Sequence, residues 1–367
     1  MPEEAALRHQ YNKSSCVLFE SPDKSIVLID IPRSIEEAQV SRGQPIERHI
    51  ISCTPVPTPW AIPEPKNTDT GQLTSPSAAI AELMTLETVK AAHREAKQNY
   101  EGPWCLPRIS REYDKVSSDE SHPHLTATLK RKKAPQKSET TEEIVSEPFI
   151  PAQSHYLQGT IQAQRAAFLA NAPTFDLIVL DPPWPSRSVK RKKNSYATVY
   201  TMHGARDLLA QIPIASHLKP DGLVTIWVTN RAAITDLLTS PGGVFSEWGV
   251  ELIGEIVWLK ITNFGDPVFD IESRFRKPYE RLLIARRRGS TAKVSIPTKV
   301  IMGVPDVHSR KPNLKPLFEG VLPQNYSGLE VFARNLTAGW WSWGNEVLYF
   351  QQKHHWVDAL DNIEEGI

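Results

Sequence analysis

Ten residues restrict this chain more than any other stretch: positions 175–184 read Phe-Asp-Leu-Ile-Val-Leu-Asp-Pro-Pro-Trp. An apolar run of strand length, rich in branched side chains and closed by a double proline, is the pattern of a buried central strand that runs out into a loop. Open α/β sheets keep their ligands at the carboxyl ends of such strands. There Asp181 offers a hydrogen-bond acceptor, Pro182 and Pro183 stiffen the backbone so that carbonyls can point into a pocket, and Trp184 offers a flat apolar face. The set suits a planar base carrying an exocyclic amine. A strand capped by an Asp-Pro turn, with Trp184 in the core, would use the same ten letters.

Further apolar runs at 223–228, 252–259, 281–285, 299–304 and 328–332 alternate with helix-like stretches at 158–170 and 232–238. That alternation implies crossover connections and a largely parallel sheet covered on both faces. The expected fold class is α/β, with a Rossmann-like domain over residues 155–352. Upstream, runs at 16–19 and 25–31 flank Ser-Pro-Asp-Lys as a hairpin. Ile80, Leu83, Met84, Leu86 and Val89 then recur at helical spacing in a segment that opens on Ser75 and Pro76. Residues 1–109 therefore read as a small N-terminal α/β region and 353–367 as a tail. Residues 110–154 read as a linker or loop, because so few apolar side chains cannot offset the entropy of ordering. Within that stretch 129–137, Leu-Lys-Arg-Lys-Lys-Ala-Pro-Gln-Lys, has the composition of a nuclear import signal and equally of a solvated charge run; the expected location is the nucleus, with the cytoplasm as the alternative.

The 42 basic and 42 acidic side chains cancel, so only local clustering can speak for a nucleic-acid partner. Five of the seven positions 187–193 are basic, directly after the double proline, which suits phosphate contacts beside a base pocket. Cys16, Cys53 and Cys105 are widely spaced and odd in number, so neither a disulfide framework nor a zinc site is expected. No apolar stretch approaches the roughly 20 residues of a membrane span, and the opening Met-Pro-Glu-Glu is unlike a secretory signal. A soluble intracellular protein is expected. No glycine-rich dinucleotide fingerprint, phosphate loop or Gly-x-Ser-x-Gly elbow occurs, which removes the usual nicotinamide, nucleoside triphosphate and serine hydrolase readings.

Six further stretches follow 175–184 in order: Ser-Val-Lys-Arg at 188–191, Trp-Val-Thr-Asn-Arg at 227–231, Trp-Leu-Lys-Ile-Thr-Asn at 258–263, Lys-Pro-Tyr-Glu at 277–280, His-Ser-Arg-Lys-Pro at 308–312, and 329–348. The ordered set resembles the eukaryotic adenine-N6 methyltransferases of the MT-A type, marked by Asp-Pro-Pro-Trp, and within them the methyltransferase-like protein 4 branch. The resemblance implies a permuted Rossmann-like fold that uses S-adenosylmethionine, with Asp181, Pro182, Pro183 and Trp184 as the catalytic motif. It implies that Asp181 and the Pro182 carbonyl receive the adenine amine while Trp184 stacks on the base. It further implies that Lys311 pairs with the methionine carboxylate, that Phe332, Arg334 and Asn335 line the cofactor pocket, and that Asn345 and Glu346 hold the ribose. Candidate substrate contacts are Lys190, Arg191, Asn230, Lys277, Tyr279 and Glu280. No metal is expected, and no acidic cofactor contact can be assigned upstream of the catalytic strand.

The expected activity is N6-methylation of adenine in RNA, within this branch at an internal 2′-O-methyladenosine of a small nuclear RNA. Methylation of adenine in DNA is the alternative. A catalytically silent nucleic-acid-binding subunit is the second, against which stands the joint presence of Asp181, Pro182, Pro183, Trp184, Lys311, Asn345 and Glu346. The expected partner is nucleic acid, RNA before DNA, with no membrane and a monomeric protein.

Overall fold

The structure, a computed structural model, describes residues 15–61, 76–110, 147–185, 201–273, 276–292 and 294–359. The run at 175–184 forms the strand its composition demands, and it lies inside the sheet rather than at an edge. In chain order the described strands are β1 Val17–Glu20, β2 Ile26–Ile29, β3 Arg48–Ile50, β4 His155–Gln158, β5 Phe175–Leu180, β6 Leu218–Val228, β7 Val250–Lys260, β8 Tyr279–Arg287, β9 Val300–Gly303, β10 Gly328–Val331, β11 Trp341–Gly344 and β12 Trp356–Asp358. Ten of them share one sheet in the order β1-β2-β9-β7-β8-β6-β5-β10-β11-β4. Strand β8 runs antiparallel to both β6 and β7, and β1 is antiparallel to β2. The other neighbours are parallel, as the alternating pattern requires.

Successive side chains of a strand point to opposite faces, and β5 shows it. Ile178 and Leu180 pack into one cluster with Phe168, Leu209 and Ile234, whereas Leu177 and Val179 pack into another with Trp227, Trp340 and Phe350. The helices of eight or more residues are α1 Ile31–Ala38, α2 Pro76–Asn99, α3 Ile161–Asn171, α4 Met202–Ala210 and α5 Ala232–Thr239. Side-chain oxygens cap three of them: Asp30 accepts from the Arg33 amide, Thr160 from Ala163 and Thr201 from Gly204. Of the tryptophans at 340, 341 and 343, Trp340 and Trp343 are buried as packing residues. A side chain on Gly328 would collide with the Trp340 ring, 2.3 Å from its nearest atoms.

The division drawn at residues 109 and 353 is crossed by the hydrogen bonds of the fold. The expected hairpin forms, but β2 then pairs with β9, so the N-terminal region extends the main sheet instead of standing beside it. Strand β3 pairs antiparallel with β12, which makes 356–358 a strand and buries Trp356. Its indole donates to the Phe350 carbonyl at 2.6 Å. Helix α2 covers the expected segment, yet Ile80, Leu83 and Met84 are 60%, 57% and 67% exposed, and Thr85, Val89, Ala92 and Ala96 face the protein. A 3.6-residue period fixes that a stripe exists, and the neighbouring strands decide which stripe is buried. The basic loop at 187–193 with Lys190 and Arg191, the segment at 129–137 and the capping Ser75 lie outside the described residues.

Candidate active site

The chain leaves β5 at Leu180, and the Asp181 amide donates to the Val331 carbonyl at 3.3 Å, which seats the aspartate between β5 and β10. The Pro182 carbonyl accepts the Trp184 amide at 2.8 Å, a tight turn across Pro183. That turn folds the indole over the end of β6, where Nε1 donates to the Trp227 carbonyl at 2.7 Å. Arg231 then holds the Pro185 carbonyl at 2.7 Å, so the exit from the motif is pinned as well. Trp184 is half-buried and lines a cleft of about 780 Å³; it is not enclosed in the core. The Pro182 carbonyl, expected to receive an amine, already accepts one hydrogen bond and keeps its second lone pair.

Four charged groups in alternating sign run along one wall of this cleft. Lys311 Nζ lies 3.1 and 3.3 Å from the two oxygens of Asp181 and 3.1 Å from Glu280 Oε2. Glu280 Oε1 in turn lies 2.6 Å from Lys260 Nζ. Burial works against the charge on Glu280 and on Lys311, but the neighbours win. Lys311 and Lys260 hold the Glu280 carboxyl down at about 2, and Asp181 and Glu280 hold the Lys311 ammonium above the ordinary lysine range. Three carboxylate oxygens thus surround the Lys311 ammonium within 3.3 Å.

The opposite wall comes from the loops after β10 and β11. Phe332 follows β10 with φ +64°, a left-handed conformation that costs a phenylalanine about 1–2 kcal/mol and is found where the surroundings impose it. Its amide donates to the Trp343 carbonyl at 2.6 Å, and a Cβ on Gly344 would lie 2.9 Å from the Ala333 carbonyl, so the two loops touch backbone to backbone. This contact presents Asn345 and Glu346 to the cleft beside Arg334, whose Nε lies 3.0 Å from Glu346 Oε2.

Every described candidate except Asn335 lines the same cleft, and Asn335 lines a crevice adjoining it. Three of the candidate substrate contacts are also occupied within the protein. Asn230 donates to the Tyr279 carbonyl at 2.7 Å, Lys277 meets Glu82 of α2 at 3.1 Å, and Glu280 is shared between two lysines. Three residues escaped sequence reasoning: Arg231, Lys260 and Glu330. Glu330 shares the crevice with Asp181, Lys311 and Asn335, and burial followed by the Asp181 charge pushes its carboxyl up to about 8. Its signal was a carboxylate between Leu329 and Val331 in an otherwise apolar strand. The turn from β4 into α3 brings 159–162 to the far end of the cleft, and Gly-Thr-Ile-Gln contains no acid. Among the described residues no group of three or more His, Cys, Asp or Glu could hold a metal ion, and no helix is long and apolar enough to cross a membrane.

The MT-A70 family model matches residues 175–346, the stretch that supplies most of this cleft. Over 97% of both chains the protein is 46% identical to the N6-methyladenosine RNA methyltransferase MTA1 of Cryphonectria parasitica. The chain belongs to the MT-A70 family. Outside that full-length similarity, it is 37% identical to the human N(6)-adenine-specific methyltransferase METTL4 over 59% of this chain and 46% of that one. It is 35% identical to the DNA N6-methyl methyltransferase of Caenorhabditis elegans over 56% of this chain and 54% of that one. As an MT-A70 enzyme it is an N6-adenine methyltransferase, and its methyl donor is S-adenosylmethionine. The site fits that donor. The volume lies in the range of small-molecule sites, the Lys311 ammonium on the cleft wall offers a positive charge to a carboxylate, Asp181 and Glu330 offer acceptors, and Asn345 and Glu346 can serve hydroxyls.

Proposed function

We propose that this MT-A70 enzyme methylates N6 of adenosine in RNA, and that its preferred target is an internal 2′-O-methyladenosine of a small nuclear RNA. The observation that carries the RNA reading is similarity along nearly the whole chain to two proteins named N6-methyladenosine RNA methyltransferase, 46% and 44% identical. The 2′-O-methyl detail rests on the likeness to the methyltransferase-like protein 4 branch, and the proposed setting is the nucleus, with the protein acting as a monomer. Adenine in DNA is the second reading, favoured by the partial similarity to the Caenorhabditis elegans enzyme.

Bound S-adenosylmethionine supplies an electrophilic methyl group to an attacking amine. The chain's own task is alignment, because direct displacement needs neither a covalent nucleophile nor a metal. Asp181 would accept one N6 proton and the free lone pair of the Pro182 carbonyl the other, which turns the nitrogen lone pair outward. Trp184, held rigid by its bond to the Trp227 carbonyl, would stack on a base taken out of its helix or strand. Lys311 would pair with the methionine carboxylate as a point charge, Glu330 would face the cationic part of the donor, and Arg334, Asn345 and Glu346 would hold its ribose. Asn230, Lys277 and Tyr279 form the wall toward the nucleotide, and the basic residues Lys190 and Arg191 would meet the phosphates beside it.

The test incubates the purified chain and labelled cofactor with matched oligonucleotides carrying adenosine, 2′-O-methyladenosine or deoxyadenosine. Transfer is expected to all RNA forms, fastest to 2′-O-methyladenosine. Faster transfer to deoxyadenosine would replace RNA by DNA as the substrate, and cofactor binding without transfer to any of them would favour the silent subunit.

A further inference from the structure

Among the groups on the cleft wall, Lys260 is the one furthest along the charged row from Asp181. It closes β7, and its Nζ lies 2.6 Å from Glu280 Oε1 and 5.0 Å from the centre of the Trp258 ring. Glu280 stands in β8, which pairs with β7 so that Trp258 faces Glu280 in register. The carboxylate therefore has two oxygens committed in opposite directions, Oε1 to Lys260 and Oε2 to Lys311. A carboxylate bound by one cation can swing about its terminal torsion, which is broad, whereas one bound at both oxygens by two cations cannot. Lys311 is in the same position one step further on, fixed between Glu280 and Asp181. All four side chains are only 20–28% exposed, so water replaces none of these contacts cheaply.

We propose that Lys260 is a positioning residue for the methyl transfer: by fixing one oxygen of Glu280 it holds the other on Lys311, and through Lys311 it sets the orientation of the Asp181 carboxylate. The proposal rests on the reading of Asp181 as the acceptor of the adenine amine. Among the described residues no ion pair joins Lys260 to Asp181, and it acts through Glu280. Its other conceivable use, since it lines the cleft, is direct contact with a phosphate of the substrate.

The two uses separate in kinetics. Full-length wild type, Lys260→Met and Lys260→Arg are assayed on the adenosine-containing RNA oligonucleotide across pH, alongside calorimetric titration with S-adenosylmethionine. A misplaced acceptor lowers kcat, by about ten- to a hundredfold for Lys260→Met, with KM for RNA held within about twofold. Lys260→Arg restores most of kcat, since a guanidinium still reaches Oε1. With one of its two cations gone, Glu280 protonates at higher pH, and the acid limb of kcat moves up in Lys260→Met. A Lys260→Met enzyme with wild-type kcat and raised, salt-dependent KM overturns the proposal in favour of a phosphate contact. So does an arginine variant as slow as the methionine one. If wild type itself transfers to no oligonucleotide, the functional reading fails. The positioning claim is then decided by the crystal structure of Lys260→Met, where Lys311 unmoved between Glu280 and Asp181 overturns it and a displaced Lys311 supports it.

Discussion

Arg310 and Lys311 are neighbours in sequence, yet they enter two acid–cation clusters that use the same chemistry to opposite ends. Arg310 turns into the protein, where it meets Asp306 at 2.5 Å and the Ile51 carbonyl at 3.0 Å. Arg108 closes the same cluster from the N-terminal region through the Val304 and Pro305 carbonyls, while Ser52 and the Cys53 amide take up the Asp306 oxygens. The three charged side chains there are at most 1% exposed. Although burial opposes its charge, the two arginines keep Asp306 below the usual carboxylate range. Lys311 turns instead toward the cleft, where Asp181 remains 28% exposed. A carboxylate whose lone pairs are consumed by the protein is a clamp. One that keeps lone pairs facing a cavity can bind. The comparison separates the acid that holds the 304–312 segment in place from the acid that this segment serves.

That separation can be broken most sharply at the two aspartates. Asp181→Ala should lower methyl transfer by about 100-fold or more and shift the urea midpoint far less than Asp306→Ala, because it removes an acceptor aimed at the reacting nitrogen. Single-turnover rates and equilibrium unfolding measured on the same preparation check this. Asp306→Ala should do the reverse. It strands two buried guanidiniums and should cost about 3–5 kcal/mol of stability, read from denaturant curves, with kcat per folded molecule kept. If Asp181→Ala unfolds the protein, or Asp306→Ala leaves its stability intact, the distinction fails.

A smaller effect is expected at Trp184. Loss of base stacking is worth about 1–3 kcal/mol, so Trp184→Ala should raise KM for the oligonucleotide by about tenfold or more while the cofactor Kd stays within about twofold. A change confined to cofactor affinity would move Trp184 out of the substrate site.

The smallest expected effect is a pH dependence at Glu330. Its carboxyl titrates at about 8 in the folded protein against 4.5 ordinarily, so between those values the folded state holds a proton that the unfolded state has released. The contribution of this group to stability is therefore full below about 4.5 and falls as pH rises through 8. Ionised Glu330 suits the cationic donor, so S-adenosylmethionine should bind more tightly as pH passes 8 and release a proton on binding. Glu330→Gln should flatten both trends. Calorimetry in buffers of different ionisation enthalpy would show the proton, and identical profiles for wild type and variant would remove Glu330 from the cofactor site.

Much of the site was legible because the residues that carry it sit at strand ends inside ordered local motifs. Asp181, Trp184, Lys311, Arg334, Asn345 and Glu346 come together on one cleft as their motifs suggested. Lys260 and Glu330 were illegible as site residues. Each is a single charged residue in or at the end of an apolar strand, and only pairing decides whether such a residue meets solvent, a partner or a cavity. Strand β11 also went unread. Trp-Ser-Trp-Gly is too short to show a period, and it exists because β10 and β4 flank it.

By itself the amino-acid order determined the central strand, the stiff acidic turn that ends it and the alternation that makes the sheet mostly parallel, since all three depend on neighbours within a few residues. The tertiary structure alone decided that the N-terminal hairpin extends that same sheet, that 356–358 closes on β3, and that Lys260, Glu280, Lys311 and Asp181 form one row. Those contacts join residues 31 to over 300 positions apart or set charges side by side on paired strands. Their geometry follows from register and burial, which no local window of sequence contains.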